Sequence, residues 1–392
     1  MPLARQQALA ARALRASANA ILNGAARCAW PRRRPLDAER VCIYRIGNIG
    51  DTACAIPAMH AIRRAYPAAY LTLVTSPGKL GSVGARELLD GVSWLDEIVV
   101  YHAEDIATAR GRLALVSQLR ARNFDVWIEL PAVAASLSTS FRNLMVARSA
   151  GVRWGFGWRY EPRFVAQAQS TFVDFPDEVA RLLEIVRAAG FAADESDFPL
   201  ELSDSTRRTV TALLDQAGLA DSDRLIAFAP GAKLEPNRWP ADRFIEVGKG
   251  LAARGYRIVV LGGSSDAPMC ERIAKAIGRN AASLAGKTTV RESCEMLARC
   301  GMLICNDSGV QHLAAAVGTP CVSLFTRREF PGMWWPHGPQ HEVLLKDVEC
   351  HTCFLDACPY DNKCIKAIGV DEVIAAADRV LMRRLKSKPQ VA

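Results

Sequence analysis

The chain has 392 residues, 50% of them hydrophobic, 23% charged and only 7% aromatic. That length favours two domains, and the composition excludes wholesale disorder and calls for a mainly aliphatic core. The 49 Lys and Arg against 41 Asp and Glu leave a net charge of +8, and there is no run of about 18 uncharged apolar residues to span a bilayer.

The basic excess lies at the front. Residues 1–36 hold seven arginines and no acid, so the rest of the chain is close to neutral. Leu3, Ala10, Leu14 and Ile21 recur at intervals of seven, four and seven. This spacing predicts one apolar helix face, with Arg5 and Arg12 turned away from it. Such a basic leader can lie on an anionic membrane surface, or it can be a frayed, solvated extension. Its Arg-rich, acid-poor composition also fits an organelle transit segment, whereas the lack of a long apolar core argues against a secretory signal.

From Arg40 onward short apolar runs alternate with helical patterns. Strands are expected at Val41–Ile46, Tyr70–Thr75, Glu97–Tyr101 and Asp125–Glu129, with a helix over Asp51–Tyr66 that stops before Pro67. The second half is clearer. Strands are expected at Leu225–Ala229, Tyr256–Leu261, Ala282–Leu284, Met302–Cys305 and Cys321–Phe325. Helices are expected at Ala241–Ala253, Pro268–Ile277, Arg291–Arg299, Gly309–Val317 and Val370–Leu385. Alternation of this kind implies parallel sheets covered on both faces. The polar stretch Leu202–Asp223, holding one helix, reads as the bridge between the halves. The expected division is a leader (1–37), an N-terminal Rossmann-like domain (38–205) and a C-terminal one (206–392).

Three strand-to-helix turns carry candidate chemistry. In Arg45-Ile46-Gly47-Asn48-Ile49-Gly50-Asp51, the glycines let the backbone bend and a ligand approach closely, and Asp51 sits at a helix start, where a carboxylate is favoured. Asp51 there is either a helix cap or a reacting acid. The spacing is not the dinucleotide fingerprint. In Asn306-Asp307-Ser308-Gly309-Val310-Gln311-His312, the N–H groups of Ser308 and Gly309 suit a phosphate, Asp307 suits sugar hydroxyls, and His312 faces either ligand or core. In Pro230-Gly231-Ala232-Lys233-Leu234-Glu235-Pro236-Asn237-Arg238-Trp239-Pro240, Lys233 and Arg238 are cations for a diphosphate or solvated surface groups.

Eleven of the twelve cysteines fall into two sets. Cys42, Cys54, Cys270, Cys294, Cys300, Cys305 and Cys321 read as small buried hydrophobes in a reducing compartment. Cys350, Cys353, Cys358 and Cys364 crowd together near the C-terminus. They are open to a structural metal, a redox pair or reduced packing thiols.

These turns, with Gly262-Gly263, Leu284-Ala285-Gly286-Lys287-Thr288, His312-Leu313-Ala314-Ala315-Ala316 and Gly318-Thr319-Pro320, together resemble glycosyltransferase family 9. That family contains the heptosyltransferases of lipopolysaccharide core assembly. The resemblance covers roughly residues 40–385. It implies a GT-B fold, in which two Rossmann-like doubly wound domains face each other across a cleft. It implies an inverting, metal-independent transfer of heptose from ADP-heptose to a lipopolysaccharide inner-core acceptor. Asp51 is then the general base. Lys233, Arg238, Gly286, Asp307, Ser308, Gly309 and His312 lie on the donor side, and Arg45, Gly47, Asn48 and Gly50 on the acceptor side. No cofactor is implied, the ADP-sugar being a substrate. The implied partners are a nucleotide-sugar donor and a lipid-linked glycan acceptor, with no nucleic acid, and residues 1–36 can touch the membrane. The implied location is cytoplasmic, at the inner face of the bacterial inner membrane. Some family members carry a lysine where this chain has Asn237, which leaves the phosphate cation open between Lys233 and Arg238. Trp154, Trp158, Arg153, Arg159 and Arg163 are either acceptor contacts or a solvated rim. Rival readings are another nucleotide sugar, a protein or other glycan as acceptor, a GT-B-like nucleotide-sugar epimerase, or a nucleotide-binding scaffold without activity.

Overall fold

The computed structural model describes residues 16–28, 30, 34–133, 135–159, 175–219, 224–350 and 352–387. The chain forms two compact units, residues 1–199 and 200–392.

The first unit is built on a parallel sheet in the order β3-β2-β1-β4-β5. Its strands are β1 (Arg40–Ile46), β2 (Tyr70–Ser76), β3 (Glu97–Val100), β4 (Val126–Glu129) and β5 (Trp154–Phe156). Val41, Cys42 and Ile43 are wholly buried, as expected for a strand with helices on both faces. Strand order reverses between β1 and β4. In an open α/β sheet the crevice at the carboxyl ends of such a strand pair is where ligands bind.

The second unit carries a six-stranded parallel sheet, β11-β10-β9-β6-β7-β8. Its strands are β6 (Leu225–Ala229), β7 (Arg257–Val260), β8 (Ala281–Ser283), β9 (Met302–Asn306), β10 (Cys321–Phe325) and β11 (Glu342–Leu345). Here the order reverses between β6 and β9. Ile226, Phe228, Ile258, Ile304, Val322 and Leu324 lie in one apolar core with Trp239 and Phe244. Asn306 pins the two central strands by donating from Nδ2 to the Pro230 carbonyl at 2.7 Å.

Three expectations change. The apolar face predicted for the leader is not the packed one. In the helix over residues 16–28, Ile21 is 57% exposed, while Ala18 and Leu22 are buried. Leu3, Ala10, Leu14, Arg5 and Arg12 lie outside the described residues. The helix is drawn in because Trp30, just beyond it, stacks on Trp158 (centroids 5.0 Å apart, planes at 4°) and donates from Nε1 to the Val152 carbonyl at 2.7 Å. The described part of the leader is therefore part of the first unit. Second, the helix Asp204–Gln216 is no bridge: Arg299 of helix Val290–Arg299 binds the Thr211 hydroxyl and the Arg207 carbonyl, each at 2.8 Å, so this helix packs within the second unit. Third, β5 and β11 are strands that the sequence pattern does not mark. Among the described residues no helix is long and apolar enough to cross a membrane.

The seven cysteines read as small hydrophobes are all buried, and all twelve are unbridged thiols. Cys350, Cys353, Cys358 and Cys364 line one small cavity of about 30 Å³, beside Thr326 and Arg327.

Candidate functional site

In the first unit the turn after β1 folds back on the helix Ile49–Ala65. Asn48 is the N-cap, and its N–H donates to Asp51 Oδ2 at 3.0 Å. Asp51 therefore does cap its helix. Its other oxygen, Oδ1, lies 3.4 Å from Arg45 Nη2, and the side chain remains 22% exposed. Gly47 is needed by contact: a Cβ there would stand 2.3 Å from Asp51 Cβ. Gly50 is buried in the first turn of the helix.

Arg45 does not reach outward as an acceptor-side cation would. It is 1% exposed and reaches from β1 to the residues just past β4. Nη1 donates to the Pro131 carbonyl at 2.9 Å, just past β4, and Nη2 donates to Glu178 Oε1 at 2.8 Å. Arg181 closes the cluster, with Nε on Glu178 Oε2 at 2.6 Å and Nη2 on the Pro131 carbonyl at 2.6 Å. Asp51 and Glu178 thus face Arg45 and Arg181 in a charge-balanced group. Burial alone would raise the Glu178 carboxyl, but Arg181 and Arg45 hold it below the usual range. Burial pushes the Asp51 carboxyl above its usual range, with Arg45 pulling it down and Glu178 pushing it up. An acid raised in this way is a stronger base than an ordinary surface aspartate.

Neither Glu178 nor Arg181 was picked out from sequence. The available signal was a Glu and an Arg three apart on the apolar side of Val179, Leu182, Leu183 and Val186, where charge is out of place. Also missed was Glu129, at the end of β4 and buried. Burial pushes its carboxyl up to about 7, against hydrogen bonds from Asn143 (2.7 Å) and Trp127 (3.4 Å).

In the second unit the loops after β6 and β9 meet at the other switch point. Asp307 is clasped by two carboxamides: Asn237 Nδ2 donates to Oδ2 at 3.1 Å and Gln311 Nε2 to Oδ1 at 3.2 Å. Asn237 is in turn fixed by Thr326, whose hydroxyl donates to Asn237 Oδ1 at 3.0 Å. The residue standing where some relatives have lysine is therefore buried and positions Asp307. Burial, with Glu329 adding to it, pushes the Asp307 carboxyl up to about 7, against Arg328 and Gln311.

Ser308 is the extended N-cap of the helix Gly309–Ala316. Gln311 N–H closes the first turn on the Ser308 carbonyl at 3.2 Å, and the N–H groups of Gly309 and Val310 ahead of it are the ones a helix start offers to an anion. His312 is buried, edge-on to Trp334. Lys233 and Arg238 are both exposed, and Arg238 is steadied by donating from Nε to the Ala232 carbonyl at 2.9 Å. Gly286 has φ +72°, and its N–H donates to the Gly262 carbonyl at 2.9 Å. Arg153 is 73% exposed and pairs with Asp125, Arg159 is largely buried, and Arg163 lies outside the described residues.

A model of glycosyltransferase family 9 (heptosyltransferase) matches residues 112–364. The lipooligosaccharide heptosyltransferase 2 of Haemophilus influenzae is 26% identical over 228 residues, 55% of this chain and 63% of that protein. The lipopolysaccharide heptosyltransferase 2 of Escherichia coli K12 is 26% identical over 293 residues, 71% of this chain and 80% of that one. Among solved structures, the family 9 glycosyl transferase of Veillonella parvula superposes with a TM-score of 0.71 at 22% identity, covering 90% of this chain and all of that one. The fold is GT-B, and the chain belongs to glycosyltransferase family 9, the heptosyltransferase family.

Proposed function

We propose that this glycosyltransferase moves heptose from ADP-heptose onto a lipopolysaccharide inner-core acceptor, with inversion at the anomeric carbon. One observation carries the mechanism: Asp51 is a reachable carboxylate raised by burial and held by Arg45 and the Asn48 N–H. It removes the proton from the acceptor hydroxyl as that oxygen bonds to the anomeric carbon. The bond from that carbon to the β-phosphate oxygen breaks, and ADP departs with the electron pair. A positioned base of this kind contributes roughly 10²- to 10⁴-fold.

The departing diphosphate is met by the N–H groups at Ser308 and Gly309 and by Lys233 or Arg238, fixed positive groups that stabilise charge as it develops. Asp307, held by Asn237 and Gln311, accepts hydrogen bonds from donor-sugar hydroxyls. In this reading the residues supply acid–base and electrostatic work without a metal. The family membership and the similarity to lipopolysaccharide heptosyltransferases support the donor and acceptor classes. Work on an acceptor of this kind fits a place at the inner membrane surface.

The test combines purified protein, ADP-heptose and lipopolysaccharide from a strain deleted for this protein, with products read by mass spectrometry. The deletion strain should carry a core short of heptose, and the protein should add one heptose mass to it. An intact core in that strain, or transfer by Asp51→Asn at the wild-type rate, overturns the reading.

A further inference from the structure

The first unit holds a cavity of about 850 Å³ that no step above uses, large for a small-molecule site, where about 300–1,000 Å³ is usual. One wall is the helix over residues 16–28, through Asn19, Asn23 and Arg27. The other is β5 and the residues just after it, through Trp154, Phe156, Trp158 and Arg159. We propose that this cavity binds an anionic sugar unit of the acceptor glycan.

The chemistry of the lining points to that class. Trp154 and Phe156 alternate onto one side of β5 and stack with centroids 6.1 Å apart and planes at 8°. They remain partly exposed and offer an apolar wall for the C–H face of a pyranose. The carboxamides of Asn19 and Asn23 offer both donors and acceptors for hydroxyls. Arg27 and Arg159 add two guanidinium groups, and among the described residues no carboxylate lines the cavity. Arg27 is exposed and Arg159 shares only a 3.3 Å contact with the outlying Glu184, so the site favours an anion. Trp158, 3% exposed and stacked on Trp30, backs this aromatic lining.

The local sequence is shaped to build this wall. A Cβ on Gly155 would stand 2.5 Å from the Trp158 ring, and Gly157, at φ +109°, would put one 2.0 Å from the Glu129 carbonyl. Gly155 thus admits the Trp30–Trp158 pair, and Gly157 lets the chain pass close to the end of β4. β5 lies two strands from β1 in the sheet. At 4.7–4.9 Å per strand that is about 10 Å from the strand that leads into the Asp51 turn, within the span of a short oligosaccharide.

The inference rests on the proposed function only for which glycan is bound. The test uses the whole protein without donor, with tryptophan fluorescence and calorimetry reporting the binding of de-acylated lipopolysaccharide inner-core oligosaccharide. Maltoheptaose serves as the neutral control. Wild type and Asp51→Asn should bind the charged oligosaccharide alike, and maltoheptaose at least tenfold more weakly. Arg27→Glu, an exposed change that leaves the fold intact, should weaken binding at least tenfold. In turnover it should raise the acceptor KM and leave the ADP-heptose KM unchanged. Equal binding by Arg27→Glu and wild type, or equal binding of the neutral glycan, overturns the assignment. Arg27-dependent binding without any transfer from ADP-heptose would sustain the cavity and sink the reaction.

Discussion

Glu178→Gln tests whether the buried charge cluster holds the proposed base. In the wild type one carboxylate serves two cations: Oε1 takes Arg45 Nη2 and Arg181 Nη2, both at 2.8 Å, and Oε2 takes Arg181 Nε at 2.6 Å. Glutamine keeps the shape but removes the charge and turns one acceptor into a donor facing an N–H. Two buried guanidinium groups then share Asp51 and the Pro131 carbonyl. Breaking a buried pair by removing one partner costs about 3–5 kcal/mol. At about 2–4 °C per kcal/mol for a unit of this size, the melting transition of the first unit should fall by about 6–20 °C. The second unit's transition should not move, because every residue concerned lies within 1–199. The catalytic consequence has a definite sign. Glu178 is one of the groups that raise Asp51, and without it Arg45 turns more fully to Asp51. The base weakens, so kcat should fall several-fold and the acid limb of the pH–rate profile should move to lower pH. Differential scanning fluorimetry, urea melts and initial rates from pH 5 to 9 read all three effects. A Tm within 2 °C of wild type together with an unmoved acid limb would refute the idea that this cluster positions and tunes Asp51.

Gly47→Ala drives a Cβ into Asp51 Cβ; neither atom can swing away, so transfer should fall at least 100-fold at a stability cost of about 1–3 kcal/mol, with ADP affinity by calorimetry unchanged. Glu129→Gln probes a buried acid whose carboxyl stands at about 7 in the fold against 4.5 for the free side chain. The neutral form is the stable one there, so the wild type loses about 3 kcal/mol as pH climbs from 4.5 through 7. Urea unfolding of the variant should show no such loss, and equal pH dependence in both proteins contradicts the assignment. Asp307→Asn should weaken ADP-heptose binding about tenfold at pH 8. The wild-type affinity should rise as pH passes through about 7, where Asp307 ionises, and the variant's should stay flat. Asn237→Ala, which removes a donor from Asp307, should reproduce part of that loss with the diphosphate contacts intact, seen as weaker ADP-heptose binding beside unchanged ADP binding.

The reach of the sequence follows the range of the forces involved. Elements whose apolar runs end in glycine or proline were legible to within a residue or two. Leu225–Ala229, Ala241–Ala253 and Cys321–Phe325 stand as expected, because burial on both sheet faces leaves a continuous apolar run in the local sequence. The turns at Gly47–Asp51 and Asn306–Gly309 were legible for the same reason: glycine spacing and a capping acid are local requirements. What could not be read were partnerships across the chain. Glu178 and Arg181 lie more than 120 residues from Asp51, and nothing near residue 178 states that Arg45 will be its partner. Asn237, legible only as a departure from a lysine pattern, became a hydrogen-bond donor to Asp307 once the β6 and β9 loops met. The leader's buried face was misassigned because a helix with many alanines has no dominant apolar stripe. Trp30 stacking on Trp158, a contact 128 residues distant in sequence, chose Leu22 over Ile21. The sequence alone determined the alternating strands and helices and the two turns, since chain entropy, periodicity and backbone sterics act over a few residues. Only the tertiary structure decided which charges neutralise which and where a cavity remains, since both depend on strand order bringing distant segments to one sheet edge.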